Sequence, residues 1–221
     1  MMNRSLQGVV DEAISSKAFT KVYGSIQGIE GLLAGRILDL GNHSKDLLKR
    51  IGRTPGAALG STRRRLLNDD LSKLLTILSK YKIGYFIIIG GNDSAETGHM
   101  IYLECRSAGY DLAVINVPKT IDNDLVLMDH TPGFGSAARF VTLAAMGAGR
   151  DAEAMGIASP ITLIEVMGRD AGWLPASSTL AKRDDRDAPH IICVPEIPIN
   201  TKKFLDNVED NYIRNGFVVA V

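Results

Sequence analysis

Segments with a helical repeat of apolar residues alternate with short, continuously apolar segments along most of the chain. One face of a helix predicted over residues 69–81 carries a set of leucines: Leu71, Leu74, Leu75 and Leu78. Residues 86–89 are consecutive apolar residues, which predicts a strand covered on both faces. This alternation is typical of an α/β fold with a largely parallel sheet.

The same criteria predict the other elements of the fold. Helices are predicted at residues 4–16, in a short segment ending at residue 50, and at residues 69–81, 95–108, 134–148, 172–181 and 202–214. Strands are predicted at residues 21–23, 36–40, 86–89, 112–117, 161–166, 191–194 and 216–221. Asn42 or Ser44 can cap the second helix, and Ser94 can cap the fourth. Since the chain opens on a helix and closes on an apolar strand, we expect a doubly wound sheet that is incomplete at both termini.

Composition excludes several classes of protein. The chain has 221 residues, 45% of them hydrophobic, with 25 basic and 25 acidic residues. No global field therefore draws it to nucleic acid or to an acidic membrane surface, and any anion site must be local. Its 2 cysteines have no paired spacing, which favours free thiols over a disulfide or a zinc site. With no apolar run of membrane length and no signal peptide, we expect a soluble cytoplasmic protein.

The first candidate site segment is "GGNDS", which follows the strand predicted at residues 86–89. The chain must turn sharply at Gly90 and Gly91 before the next helix begins. A turn from the carboxyl end of a parallel strand into a helix N-terminus is where doubly wound proteins hold anionic ligands. An ordinary loop between a strand and a helix would carry the same glycines, so this segment alone leaves both interpretations open.

The second candidate segment is "PKTIDND", which follows the next predicted strand and should lie on the same sheet edge. If this segment is extended, alternate residues face one way, and Thr120, Asp122 and Asp124 converge on one ligand. One carboxylate could then take a proton from an attacking alcohol while the other orients it or reaches a metal ion. Lys119 would supply a cation for a phosphate. The alternative is that Asp and Asn simply fill a polar turn.

The third candidate segment is "MGRDAG", which follows the strand predicted at residues 161–166. Gly168 would let Arg169 project from the carboxyl end of that strand, where arginine suits bidentate contact with a phosphate or a carboxylate. The alternative is a solvated charge or an ion pair with Asp170. The 4 histidines are isolated in the sequence, and we interpret them as structural or solvated.

The segments "GGNDS", "PKTIDND", "TPGFGSAARF", "MGRDAG" and "VPEIP" together resemble the phosphofructokinases in order and spacing, over essentially the whole chain. The chain resembles the pyrophosphate-dependent branch most closely, because Asp93 and Lys119 occupy positions that are usually glycine in ATP-dependent enzymes. Asp93 would crowd the inner phosphate of a nucleotide, and Lys119 could bind pyrophosphate in its place. The resemblance implies reversible, glycolytic phosphoryl transfer from pyrophosphate to the 1-hydroxyl of fructose 6-phosphate. The alternatives are an ATP-dependent 6-phosphofructokinase and a non-catalytic regulatory or truncated subunit of the same fold.

The resemblance also implies roles for individual residues. The implied catalytic residues are Lys119, Thr120, Asp122 and Asp124. The implied phosphoryl-donor site comprises Gly90, Gly91, Asp93, Ser94 and Arg63. The implied sugar-phosphate contacts are Thr120, Met167, Gly168 and Arg169. Among these, Asp122 would be the base that deprotonates the 1-hydroxyl.

The remaining implications concern metal, lobes and assembly. The cofactor would be Mg²⁺, near Asn92 and Asp93, although Asn92 stands where the family motif has an aspartate. Residues 1–125 would form a larger donor-binding lobe that lacks its first strand, and residues 126–221 a smaller, incomplete sugar-phosphate lobe. Pro160 stands where many bacterial ATP-dependent enzymes have an arginine that reaches a neighbouring subunit. The family resemblance implies a homodimer or a higher oligomer, while the balanced charge predicts no nucleic acid or membrane partner.

Overall fold

The computed structural model describes all 221 residues and divides into two compact units, Met1–Lys119 and Thr120–Val221. Each hydrophobic cluster of buried side chains draws its members from one unit. No helix of the chain combines the length and the apolar character that crossing a membrane requires.

The first unit contains two strand pairs and the helices that pack on them. Its elements are α1 (Met2–Ser15), β1 (Tyr23–Ser25), α2 (Gly28–Leu33), β2 (Ile37–Asp39), α3 (Lys45–Gly52), α4 (Asn68–Tyr81), β3 (Tyr85–Gly90), α5 (Asn92–Ser107) and β4 (Ala113–Pro118). Strands β1 and β2 are antiparallel, whereas β3 and β4 are parallel, with Gly90 opposite Pro118. Ser44 accepts a hydrogen bond from the Leu47 amide and caps α3, as predicted.

The core of the first unit lies between α4, α5 and one face of the β3–β4 pair. Leu74 and Leu78 of α4 meet Ile101 and Cys105 of α5 in one buried cluster. Exposure alternates along β3, so that Tyr85 and Ile87 remain 56% and 39% exposed. The prediction that this strand is covered on both faces is therefore wrong for this chain, because the helices pack on one face of the pair.

The second unit is built around one long helix and one short parallel pair. Its elements are α6 (Phe134–Met155), β5 (Ile161–Leu163), α7 (Trp173–Ser177), α8 (Thr201–Asn215) and β6 (Val218–Ala220). Strand β6 is fully buried and pairs with β5 in parallel register. Val141 and Ala145 of α6 pack with Leu174 of α7 and with Val221.

The α/β prediction with parallel strands is correct, while several predicted boundaries differ from the structure. The strand predicted at residues 161–166 ends at Leu163, because its partner β6 offers only a short ladder. Residues 191–194 form a single bridge, between Ile191 and Ala220, instead of a strand. Helix α6 extends beyond residue 148 to Met155 and ends before Gly156, whose φ of 53° suits glycine.

Candidate active site

The first predicted site segment joins β3 to α5 in the first unit. Gly91 is the N-cap of α5, and Ser94 lies within the first turn of that helix. A Cβ on Gly90 would collide with the Ser94 side chain, which folds back over the strand end. The prediction that Ser94 caps the helix is therefore wrong, because the extended backbone of Gly91 already occupies the cap position.

The N-cap of α5 is a glycine, which supplies no side-chain hydrogen bond to the start of the helix. The chain enters the helix at Asn92, and Asn92 and Asp93 are both exposed there. The first amide groups of a helix lack intrahelical carbonyl partners and carry the positive end of the helix dipole. The geometry at this strand end therefore suits an anionic group, as the sequence predicts.

Asp93 has a basic neighbour that the sequence analysis does not single out. Its Oδ1 atom lies 3.8 Å from the guanidinium Nη2 of Arg65, in a pair whose side chains are 70% and 73% exposed. The predicted donor residue, Arg63, is also exposed on the same loop. Because exposed ion pairs are weak, Arg65 can exchange Asp93 for a phosphate at little cost. The arginine run of "TRRRL" indicates a basic loop but not which member faces α5.

The middle arginine of this loop has a structural role. Arg64 donates to the Asp70 carboxylate at 2.7 Å, and the Leu67 amide donates to the same carboxylate at 3.2 Å. The hydrogen bond from the Leu67 backbone, together with Arg64, holds the pKa of Asp70 below its ordinary value. Arg64 thus anchors the loop to the start of α4.

Lys119 follows β4 directly, at the same sheet edge as the glycine turn. Its backbone amide donates to the carbonyl oxygen of Gly90 at 2.9 Å, and its side chain is half-buried. The prediction that the two segments share one edge of a parallel pair is confirmed. Lys119 therefore follows the end of β4, while Asp93 lies in the first turn of the helix that follows β3.

In the second unit, the "TIDND" run forms a turn instead of an extended segment. The Thr120 hydroxyl accepts a hydrogen bond from the Asp122 amide at 3.1 Å, and the backbone of Asn123 is left-handed with a φ of 59°. Thr120, Asp122 and Asp124 therefore do not alternate along an extended segment. The geometry is that of a polar turn, in which Asp122 and Asp124 are half-buried.

The "MGRDAG" segment is a loop that begins after β5 has ended. Gly168 has a φ of 120°, and a Cβ there would collide with the carbonyl oxygen of Ala171. Arg169 donates from Nε to the Asp170 carboxylate at 2.9 Å, which is the ion pair considered as an alternative. Its side chain is 82% exposed, and Met167 beside it is 59% exposed. Ion pairs between side chains as exposed as these are generally weak.

Glu196, in "VPEIP", is a residue whose role the sequence analysis does not predict. Its Oε1 atom accepts a hydrogen bond of 2.8 Å from the amide of Gly172, the N-cap of α7. A Cβ on Gly172 would lie 2.6 Å from the Cβ of Val194 and 2.6 Å from Oε2 of Glu196, so the close approach of Val194 favours glycine here. The "VPEIP" segment thereby holds the end of the "MGRDAG" loop.

The residues present fit a shared magnesium ion better than a closed metal site. No group of three or more histidine, cysteine, aspartate or glutamate side chains in this chain is arranged so that it could hold a metal ion. Mg²⁺ typically takes one or two carboxylates and completes its shell with water and substrate phosphates. Asp93 offers one exposed carboxylate in the first turn of α5, and Asn92 adds a neutral amide.

A glycine turn between a parallel strand and a helix, with a polar segment ending the neighbouring strand, places the chain among the doubly wound α/β proteins. The chain belongs to the phosphofructokinase family: the family model described as Phosphofructokinase matches residues 1–221. The family resemblance inferred from the five segments is thus confirmed.

Three similar proteins have names that place them in the pyrophosphate-dependent branch of the family. The pyrophosphate–fructose 6-phosphate 1-phosphotransferase of Rhodospirillum rubrum is 40% identical over 222 residues, which cover 100% of this chain and 54% of that protein. The protein of the same name from Xanthomonas campestris is 38% identical over 227 residues. This match covers 100% of this chain and 54% of that protein. The crystal structure of pyrophosphate-dependent phosphofructokinase from Marinobacter aquaeolei matches with a TM-score of 0.89 at 36% identity, covering 100% of this chain and 56% of that one.

The chain spans about half the length of the curated relatives it matches. The match to the solved structure confirms a phosphofructokinase-type α/β fold for the residues described here.

Proposed function

We propose that this chain forms the core of a pyrophosphate-dependent 6-phosphofructokinase. The observation that carries the proposal is the pair of charged residues in the segments that follow β3 and β4. Asp93 lies in the first turn of α5, and the Lys119 amide donates to Gly90, so both positions that favour a nucleotide when they are glycine carry bulk and charge. The names of the relatives support the same donor and the same sugar phosphate.

In the proposed reaction, the O1 atom of fructose 6-phosphate forms a bond to one phosphorus of pyrophosphate. The bond from that phosphorus to the bridging oxygen breaks, and inorganic phosphate leaves. The proton of the 1-hydroxyl passes to the Asp122 carboxylate, with Thr120 and Asp124 orienting the sugar. Such a transfer depends mainly on positioning and charge stabilisation, and in the proposal it runs in both directions.

The remaining roles follow from the charge of the two substrates. Gly90, Gly91 and Ser94 would bring backbone amide groups to the diphosphate, with Lys119 and an arginine of the "TRRRL" loop as cations. Mg²⁺, held by Asp93 with Asn92 beside it, would neutralise charge on the transferred phosphoryl group. Arg169 would exchange Asp170 for the sugar phosphate, beside Met167 and Gly168.

The proposal extends to the setting of the enzyme. A homodimer or higher oligomer, a glycolytic role and a cytoplasmic location fit this reaction. Each follows from the family and is part of the proposal. Sedimentation of the purified native protein would test the oligomeric state.

A coupled assay of the native protein with each phosphoryl donor tests the proposed function. We expect turnover with pyrophosphate and Mg²⁺, and little or none with ATP. Asp122→Asn should lower turnover by about 10²- to 10⁴-fold and leave binding of fructose 6-phosphate nearly intact, because the variant keeps the shape and loses the base. A clear preference for ATP would contradict the donor assignment. Absence of turnover with both donors would favour a non-catalytic chain.

A further inference from the structure

We propose that Asn123 and Thr131 are positioning residues, which fix the turn that carries Asp122. This inference rests on the proposed function, because it assigns Asp122 the role of base. It adds two buried side chains that neither touch the substrates in the proposal nor belong to the residues predicted from the sequence.

Three hydrogen bonds close the loop between residues 120 and 131. In the side chain of Asn123, Oδ1 accepts a hydrogen bond from the backbone N–H of Thr131 at 2.8 Å, and Nδ2 donates one to the carbonyl of Asp129 at 3.1 Å. The Thr131 hydroxyl donates to the carbonyl of Thr120 at 2.7 Å. Both side chains therefore reach back across the loop to its opposite end.

These bonds lie in the interior of the second unit. Thr120, Asn123 and Thr131 are 8%, 7% and 3% exposed. Buried polar groups that lose a partner retain the cost of leaving water, so each of these bonds is expensive to break. The tip of the loop contributes little packing, since Val126 and Leu127 are 84% and 101% exposed. Ile121 packs against the core cluster of the unit, whereas the rest of the loop, as far as residue 131, is held by these hydrogen bonds.

The bonds lead directly to the proposed base. Thr131 holds the carbonyl of Thr120, and the Thr120 hydroxyl in turn accepts from the Asp122 amide. Asn123, next to Asp122, has the left-handed backbone that asparagine tolerates better than most residues. Because the Phe134 amide also donates to the carbonyl of Thr131, this chain of contacts begins at the N-terminus of α6. The start of α6 therefore positions Thr131, and Thr131 in turn positions the turn at residues 120–123.

The experiment compares three variants of the native protein. Thr131→Val has nearly the same shape and removes the hydroxyl, whereas Thr131→Ser retains it. Thr142→Val is the matched control, because the Thr142 hydroxyl also bonds two carbonyls, those of Ala138 and Ser177, away from the turn. For each variant, kcat with pyrophosphate, Kd for fructose 6-phosphate and amide hydrogen exchange of residues 120–124 are measured.

We expect Thr131→Val to lower kcat about ten- to a hundredfold while Kd changes by less than about threefold, since small displacements of a reacting group have large effects on rate. Thr131→Ser should restore most of kcat, and Thr142→Val should leave it within about twofold. Exchange at residues 120–124 should rise in Thr131→Val alone.

Equal effects of Thr131→Val and Thr142→Val on kcat and on exchange would overturn the proposal. If the unsubstituted protein has no turnover with either donor, the proposed function fails. The exchange of residues 120–124 then still decides whether Thr131 holds the turn.

Discussion

At the residue scale, the proposed choice of donor depends on two side chains near one edge of the β3–β4 pair, Asp93 and Lys119. Asp93 is the second residue of the helix that follows the glycine turn, and Lys119 follows β4 and donates its backbone amide to Gly90. A carboxylate repels the inner phosphate of a nucleotide, while an ammonium group attracts a diphosphate. Arg65, 3.8 Å from Asp93, partly offsets the charge of that carboxylate and leaves its bulk unchanged.

Substitution of these two residues should change the donor. Asp93→Gly in the native protein is expected to admit ATP, and Lys119→Gly to weaken the use of pyrophosphate, each by roughly a few kcal/mol. Because both residues would face one diphosphate, their effects should be non-additive in the double variant. The measurement is the ratio of kcat/KM with ATP to that with pyrophosphate. An unchanged ratio in all three variants would remove the physical basis for the donor assignment.

The sequence predicts which residue types lie at the candidate site, and after which strands, better than it predicts the local backbone geometry. The glycine turn, the lysine at the shared edge and the ion-pair alternative for Arg169 all follow from residue type and position along the predicted strands. The conformation of "TIDND" does not, because its turn depends on bonds from Asn123 and Thr131 to atoms up to 11 residues away. Likewise, Arg65 and Glu196 meet their partners only after the loops have folded.

At the scale of elements, short helices and strands in the second unit depend on side chains from distant loops. Helix α7 has five residues, and Glu196 satisfies the amide of its N-cap. Strand β6 has three residues, and the backbone amide of one of them, Val219, donates a hydrogen bond to Nδ1 of His190. The sequence predicts a longer helix than α7 and a longer strand than β6. Apolar runs indicate that residues are buried, but they do not show how many of them find hydrogen-bonding partners in a helix or a strand pair. Secondary structure is therefore most accurately predicted where amphipathic helices such as α4 and α8 supply their own pattern.

Loss of the Glu196 carboxylate should loosen α7. Glu196→Ala is expected to lower the free energy of unfolding by about 1 kcal/mol, the usual effect of losing a helix cap. Glu196→Gln retains an acceptor for the Gly172 amide and should lose less than half as much. Denaturant unfolding of both variants checks this. Equal losses would show that charge, and not the hydrogen bond, matters at this position.

His190 should make the second unit sensitive to acid. Its Nδ1 atom accepts from the Val219 amide at 3.0 Å, and burial lowers the pKa of the imidazole below its ordinary value of 6.5. The unfolded chain therefore takes up a proton first as the pH falls. The stability from neutral His190 is complete above about pH 6.5 and decreases below that value, until the folded pKa is reached.

The measurement is the free energy of unfolding from pH 8 to pH 5. His190→Asn keeps an acceptor for the Val219 amide and cannot titrate in this range, so its stability should fall less between about pH 6.5 and pH 5. The same slope in both proteins would contradict this role of His190.

At the scale of the whole molecule, stability is distributed over separate cores. The cluster that contains Leu74 draws only on residues of Met1–Lys119, and the cluster that contains Leu174 draws only on Thr120–Val221. Both leucines are 1% exposed, so truncation of either leaves a cavity that its neighbours fill only in part.

Each truncation should therefore weaken its own unit first. Leu74→Ala and Leu174→Ala are each expected to cost about 2 to 5 kcal/mol. In Leu74→Ala, amide hydrogen exchange should accelerate within Met1–Lys119 before it does so within Thr120–Val221, and Leu174→Ala should show the reverse order, because local opening follows the contacts that are lost. Exchange that accelerates equally in both units after either substitution would mean that the chain unfolds as one cooperative body, and the separate clusters would not be separate units of stability.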